Sequence, residues 1–175
     1  MNIASSRNPA VASSKNPFVA NSLNPNVASS LNPHVASSKN PFVASSLNPN
    51  IASSINPNVA SSLNYHIASS LDPNVNSSIN PNVASSINPN IASNIPGLFI
   101  FDLELNAVGF TVSATKQVFL IYSPSCEFVG LGIMARDGFW NVFDLDNNWI
   151  GFWIHARESS FVRFDLNLEW IGFTT

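Results

Sequence analysis

The chain has 175 residues, of which 45% are hydrophobic and only 10% charged, and its formal net charge is −3. No basic surplus is available to neutralise a phosphate backbone, which argues against nucleic acid as a partner. A single cysteine, Cys126, excludes an internal disulfide or multi-cysteine zinc site, and no apolar run is long enough for a membrane span.

The first residues, Met1 to Arg7, lack the charged-then-apolar run of a secretory signal, which favours the cytoplasm. The averages conceal two unlike halves. Every glycine and every tryptophan lies at or after Gly97, whereas most prolines recur between Pro9 and Pro89 at multiples of eight residues. Residues before Pro96 carry a net charge of +2 and those from Pro96 onward −5. The junction falls at Asn94-Ile95-Pro96-Gly97, where a Pro-Gly pair punctuates the chain. Two domains are expected, 1–95 and 96–175.

From Ala4 the chain repeats every eight residues, as in ASSKNPFV (Ala12–Val19) and ASSLNPHV (Leu31 and His34 among them). Eleven octads end at Ile91. The last position is always Val or Ile, the fifth Asn (once Asp72), and the sixth Pro except at Tyr65. One octad holds too little apolar surface to offset its ordering entropy, so like must stack on like. Val-Ala-Ser-Ser-Leu reads as a short strand and Asn-Pro-Asn as a corner, because proline cannot serve a ladder. The residue before proline is pushed to extended geometry, and an asparagine there can bond neighbouring backbone.

The first half is therefore expected to be a β-solenoid, with two octads per coil or three. Identical octads at Ala12–Val19 and Ala36–Val43 would stack in the three-sided form. That form would also set Lys15 over Lys39, an unfavourable like-charge pair, so the two-sided coil is preferred. A helical array is the first alternative, since Asn as N-cap before Pro is a helix start. Disorder is the second, from the Ser, Asn and Pro content.

The second half repeats every 21 residues. FDLELNAVGF from Phe101, YSPSCEFVGL from Tyr122, FDLDNNWIGF from Phe143 and FDLNLEWIGF from Phe164 align without a gap. Each reads as strand, turn, strand, with an Asp-rich turn between aromatic and β-branched runs. The glycine shared by all four units (Gly109, Gly130, Gly151, Gly172) suggests a bulge or a close backbone approach. Four hairpins about a pseudo-fourfold axis with a central aromatic core are expected, which makes the fold class all-β throughout.

These residues resemble the bacterial 4-fold β-flower domain, over Leu98 to Thr175. The second unit departs from the pattern, with Ser123-Pro124 in place of Asp-Leu. The resemblance implies a small all-β unit with an accessory or binding role and no particular reaction.

Candidate chemistry is sparse. Asp102, Asp144 and Asp165 share a repeat position and are expected to cap turns. The run Asp144 to Asn148 starts like a calcium loop, but Trp149 and His155 stand where glycine and the bidentate acid belong. Cys126 with His155 lacks an orienting third group. His34 and His66 share a position that also accepts Ala, Phe and Asn, so metal binding is not expected there. No catalytic, cofactor or metal site is expected.

Trp149 and Trp170 fall at strand spacing and are expected in the core. Trp140 and Trp153 fall outside the decapeptides and are the candidates for an exposed aromatic ligand or partner surface. The leading expectation is a non-enzymatic structural or interaction protein. It would be a rigid rod capped by the β domain, self-associating through an open N-terminal rung or binding another protein. Two alternatives stand beside it. Ice or surface binding is suggested because the octad period is similar in length to that of bacterial ice-nucleation proteins. A small-ligand module, for instance for carbohydrate, would use the exposed aromatics.

Overall fold

The computed structural model describes all residues, 1–175. Residues 1–95 contain no strand. They form eleven single-turn 3₁₀ helices, from Ser5–Arg7 to Ser85–Ile87, each followed by a second tight turn over Asn-Pro. The β-solenoid expectation is thereby overturned, and the hydrogen bonds give the reason.

Each octad satisfies its backbone locally. In a representative unit, Val19 N–H and Ala20 N–H both donate to Asn16 O, at 3.0 and 2.7 Å. Phe18 N–H donates to Asn16 Oδ1 at 2.9 Å. Lys15 N–H donates to Ala12 O and Asn16 N–H to Ser13 O. Two successive single turns thus consume the donors that a solenoid would spend between layers. The helical alternative is not met either: each 3₁₀ helix starts after an alanine (Asn76 once) and ends at the Asn, or at Asp72, which then opens a separate tight turn.

The asparagine itself is extended, with φ between −85° and −102° and ψ between 110° and 115° throughout, Asp72 included. This is the geometry that a following proline demands. Several of these amides also reach the preceding octad's proline carbonyl, as Asn56 Nδ2 does to Pro49 O at 2.9 Å.

Burial assigns the positions. The invariant Val or Ile is 58–67% exposed in every octad, whereas Leu47 and Leu71 in the variable fourth position are 0% and 1% exposed. The fourth position and most of the prolines face inward; the serine pair and the β-branched residue face water.

The second half contains eight antiparallel strands: β1 (Phe99–Phe101), β2 (Ala107–Ser113), β3 (Val118–Tyr122), β4 (Phe128–Arg136), β5 (Phe139–Phe143), β6 (Trp149–Arg157), β7 (Ser160–Asp165) and β8 (Trp170–Thr174). They pair in chain order and close through β1–β8, with Ile100 opposite Thr174 and Phe101 opposite Phe173. The fold is a single closed barrel rather than a separate four-hairpin unit, because pairing between hairpins is as continuous as pairing within them.

The ladder slips at Ile100/Phe101, Ile121/Tyr122, Val142/Phe143 and Arg163/Phe164, an equivalent place in each repeat, and again at Met134/Arg136 and His155/Arg157 toward the other end. The shared glycine lies against each of the four equivalent slips. A Cβ on Gly151 would sit 2.4 Å from Phe164 O, so no side chain fits there.

Alternation sends one face of each strand into the bore. The bore is narrow and filled by Ile100, Phe119, Val142 and Trp153, with Leu98, Ile121, Trp140 and Phe161 at its ends. Gly132 leaves room for the Phe119 ring, which a Cβ would meet at 2.1 Å. The larger apolar clusters lie on the outside of the barrel. Phe99, Phe101, Phe110, Tyr122, Phe143 and Phe173 pack there with Ile55, Leu63, Leu71 and Ile79 of the octads. Phe139, Phe152 and Phe164 pack with Leu31 and Leu47. The expected central aromatic core is therefore mostly an outer wall, roofed by the octads.

The octads form a closed belt round this barrel. Asn2 N–H donates to Pro89 O at 2.6 Å, so the two ends of the array meet. Arg7 locks the junction, donating to Ile95 O at 2.8 Å, Gly97 O at 2.5 Å and Thr175 O at 2.8 Å, with its guanidinium 4.6 Å from the Phe99 ring centroid. No open rung remains at the N-terminal end, which removes the basis for end-to-end growth of a rod.

Belt and barrel are in register. Phe18 packs on Trp170 with centroids 5.5 Å apart and Phe42 on Trp149 at 5.6 Å, so a belt step of 24 residues matches a barrel step of 21. Asn58 Nδ2 donates to Asn147 O and Asn82 Nδ2 to Cys126 O, both at 3.0 Å, in the same two steps. Arg157 and Arg136 donate to Ser14 O and Ser38 O likewise. Three octads thus serve one barrel repeat, and the belt runs in the opposite order to the barrel repeats. No helix of the protein is long and apolar enough to cross a membrane.

Candidate functional site

The two barrel ends differ in chemistry. One end carries the repeat turns at 102–106, 123–127, 144–148 and 165–169; the other carries the turns near Thr115, Asp137 and Glu158. Asp144 caps its turn as expected: its Oδ1 accepts from Asp146 N–H and Asn148 N–H, and its Oδ2 from Asn148 Nδ2. Asp102 and Asp165 accept the same backbone pair. Hydrogen bonding to the Asn106 and Asn148 side chains holds the Asp102 and Asp144 carboxyls below the usual range. Leu105, Cys126, Asn147 and Leu168 take the left-handed conformation at the equivalent place in each turn.

Cys126 is buried in such a turn, where burial pushes its thiol up and its Sγ lies 3.5 Å from Asn88 Oδ1. His155 belongs to the other end, about 20 Å away along six residues of strand, so the two never meet. His66 Nε2 contacts Leu145 O at 2.9 Å, and His34 lies in a groove beside Leu168 and Trp170. No three His, Cys, Asp or Glu side chains converge as metal ligands do.

Trp149 and Trp170 lie on the outer wall, half-buried against Phe42 and Phe18 rather than inside the barrel. Trp153 is not on the surface. It is 3% exposed within the bore, stacked on Phe119 at 4.8 Å. Trp140 is half-buried, directly opposite Trp153 across the β5–β6 ladder, its centroid 4.6 Å from the same Phe119 ring. An exposed two-tryptophan patch is therefore replaced by a three-ring cluster with Phe119, of which Trp140 lines a cavity.

That cavity has a volume of about 420 Å³ and is lined by Lys39, Met134, Asp137, Gly138, Trp140, His155, Glu158 and Phe161. Met134, Trp140, His155 and Phe161 point into it from β4 to β7, because they share the inward alternation of Gly132 and Trp153. His155 Nε2 contacts Glu158 O at 2.8 Å, and its ring meets Phe161 edge-on at 5.2 Å. Lys15 pairs with Glu158, and this pairing holds the Glu158 carboxyl below its usual range. The tight β6–β7 turn places Glu158 at positive φ of 48°.

Lys39 comes from the belt, so the site is built by both halves. Its signal in the sequence is a cation at an octad position that is otherwise mostly Leu or Ile. The second cavity, at the other end, holds about 220 Å³ lined by Ile100, Val108, Ile121, Val129, Gly130, Val142, Phe143, Ile150, Trp153 and Arg163. Arg163 carries an equivalent signal: the matching residues of the other repeats are Ile100, Ile121 and Val142.

Comparison of the chain with protein-family models, with curated proteins and with solved structures returns no match.

Proposed function

We propose that the protein is a non-enzymatic binding module in which the belt braces a rigid barrel and the Trp140 cavity takes a small polyhydroxylated ligand of the saccharide class. The observation that carries this reading is the placing of one indole beside Lys39, Asp137 and Glu158 in a cavity of about 420 Å³. A sugar ring offers an apolar face to an aromatic ring and hydroxyls to charged groups around it. Small-molecule sites commonly combine apolar walls with a few fixed polar groups in this way. Two of the ionisable groups are already engaged, Glu158 by Lys15 and His155 by the Glu158 carbonyl, which favours recognition over proton transfer.

Titration of the whole protein with mono- and disaccharides, followed by tryptophan fluorescence, tests the reading. Saturable quenching is expected, lost in Trp140→Ala and weakened in Lys39→Met. Absence of saturation across the panel would overturn it.

An interaction role for the belt rests on a different observation. Eleven exposed Val or Ile side chains recur round its outer surface, one per octad. Because the belt curves round the barrel, these rows present no flat lattice of the kind an ice-binding face would need.

A further inference from the structure

The second cavity contains a charge that the fold does not explain. At the inward position preceding each equivalent bulge, three barrel repeats place Ile100, Ile121 and Val142, and the fourth places Arg163. The surrounding wall is otherwise aliphatic and aromatic. A cation taken out of water in such a place is costly unless an anion accompanies it.

No carboxylate of the protein lies within ion-pair distance of Arg163, the only salt bridge in the molecule being Lys15–Glu158. Nη1 donates to Phe101 O at 3.1 Å, and the guanidinium lies 5.8 Å from the Trp153 ring centroid. Nε is shielded from solvent and has no acceptor, and Nη2 donates to no protein atom. Burial pushes the Arg163 guanidinium down to about 10, with Asp102 opposing from a distance, so it remains cationic at neutral pH.

We propose that this barrel mouth is a binding site for a monoanionic carboxylate bearing a short apolar tail. The carboxylate takes Nη2 of Arg163, and the tail lies among Val108, Val129 and Ile150 at the rim. Nη2 carries two N–H donors that no protein atom accepts, and a charge-assisted hydrogen bond to a carboxylate is a strong one. A lone arginine among aliphatic walls offers too few donors for a phosphate dianion. The volume is suitable: a dry apolar cavity of about 150 Å³ accommodates benzene, and this one is larger. The site lies at the opposite barrel end from the Trp140 cavity and does not depend on the reading given to it.

The test uses the whole protein and hexanoate as the probe, with hexanol and inorganic phosphate as controls, followed by calorimetric titration. Saturable hexanoate binding at least tenfold tighter than either control is expected. Arg163→Leu, which restores the aliphatic series, should abolish the preference for hexanoate over hexanol. Two rim variants leave the guanidinium in place: Val129, 44% exposed, tolerates either charge. Val129→Asp should weaken hexanoate several-fold and Val129→Lys strengthen it. Hexanoate binding no tighter than hexanol, or unchanged by both Val129 variants, would overturn the proposal, and this holds even if Arg163→Leu fails to fold.

Discussion

Truncating Leu47 and truncating Val43 should have very different consequences. Leu47 is 0% exposed and packs among Phe139, Phe152 and Phe164, whereas Val43 is 65% exposed. Leu47→Ala removes buried carbon worth about 0.8 kcal/mol per methylene and leaves a cavity under a rigid aromatic wall. The measured range for such changes is about 2.7–5.0 kcal/mol, and about 3 kcal/mol is expected here, because neighbouring Leu31 and the aromatic wall leave little room to collapse into the space. Val43→Ala should cost at most about 0.5 kcal/mol, as surface changes do. At about 2–4 °C per kcal/mol for a chain of this size, Leu47→Ala lowers Tm by roughly 6–12 °C and Val43→Ala by no more than about 2 °C. Thermal melts read by far-ultraviolet circular dichroism and by tryptophan fluorescence should move together, since belt and barrel share their clusters. A larger loss from Val43→Ala than from Leu47→Ala would refute the belt and restore a core built on the β-branched position. Fluorescence unmoved while dichroism shifts would refute the shared core.

Other outcomes follow from the same contacts. Arg7→Met leaves the carbonyls of Ile95, Gly97 and Thr175 without their donor and should cost about 2–3 kcal/mol, the scale of charged hydrogen bonds; limited proteolysis should then cut first in the belt. Gly151→Ala meets the Phe164 carbonyl, which is backbone and cannot turn aside; a loss of about 2 kcal/mol or more is expected in chemical denaturation. The Asp102 and Asp144 carboxyls are depressed in the folded protein. Their contribution is therefore present above the unfolded value of about 3.9 and fades as pH falls through the folded one. For Asp144→Ala the stability difference between variant and wild type should accordingly narrow as pH falls below the unfolded value and through the depressed folded one; a difference constant across the whole acid range would contradict the cap. Glu158 behaves with the same sign through Lys15, so Lys15→Met should alter stability at neutral pH and not in acid.

Much of this molecule is fixed by local sequence. The break at 94–97, the eight short strands, the Asp-capped turns and the glycine at each equivalent bulge all follow from residues within a few positions of one another. The extended asparagine before proline follows too, because the clash with the proline ring is local. The octad period was equally readable, but period alone does not distinguish layers that bond to one another from turns that bond within themselves. Asn16 settles that choice by accepting Phe18 and Val19 N–H groups inside its own unit and Ala20 N–H at the start of the next.

Tertiary structure alone decided that the array encircles the barrel. That closure depends on contacts such as Asn2 with Pro89 and Arg7 with Thr175, between residues with no local influence on each other. It also decided which face of each repeat is inside, turning the invariant Val or Ile outward and the aromatic strand faces toward the belt. The traces left in the sequence are faint: two identical octads 24 residues apart, and the cations Lys39 and Arg163 at positions where their repeats otherwise favour aliphatic side chains. Repetition records what every unit must do alone, whereas a site arises where one unit departs from the rest, and only the folded chain shows what that departure faces.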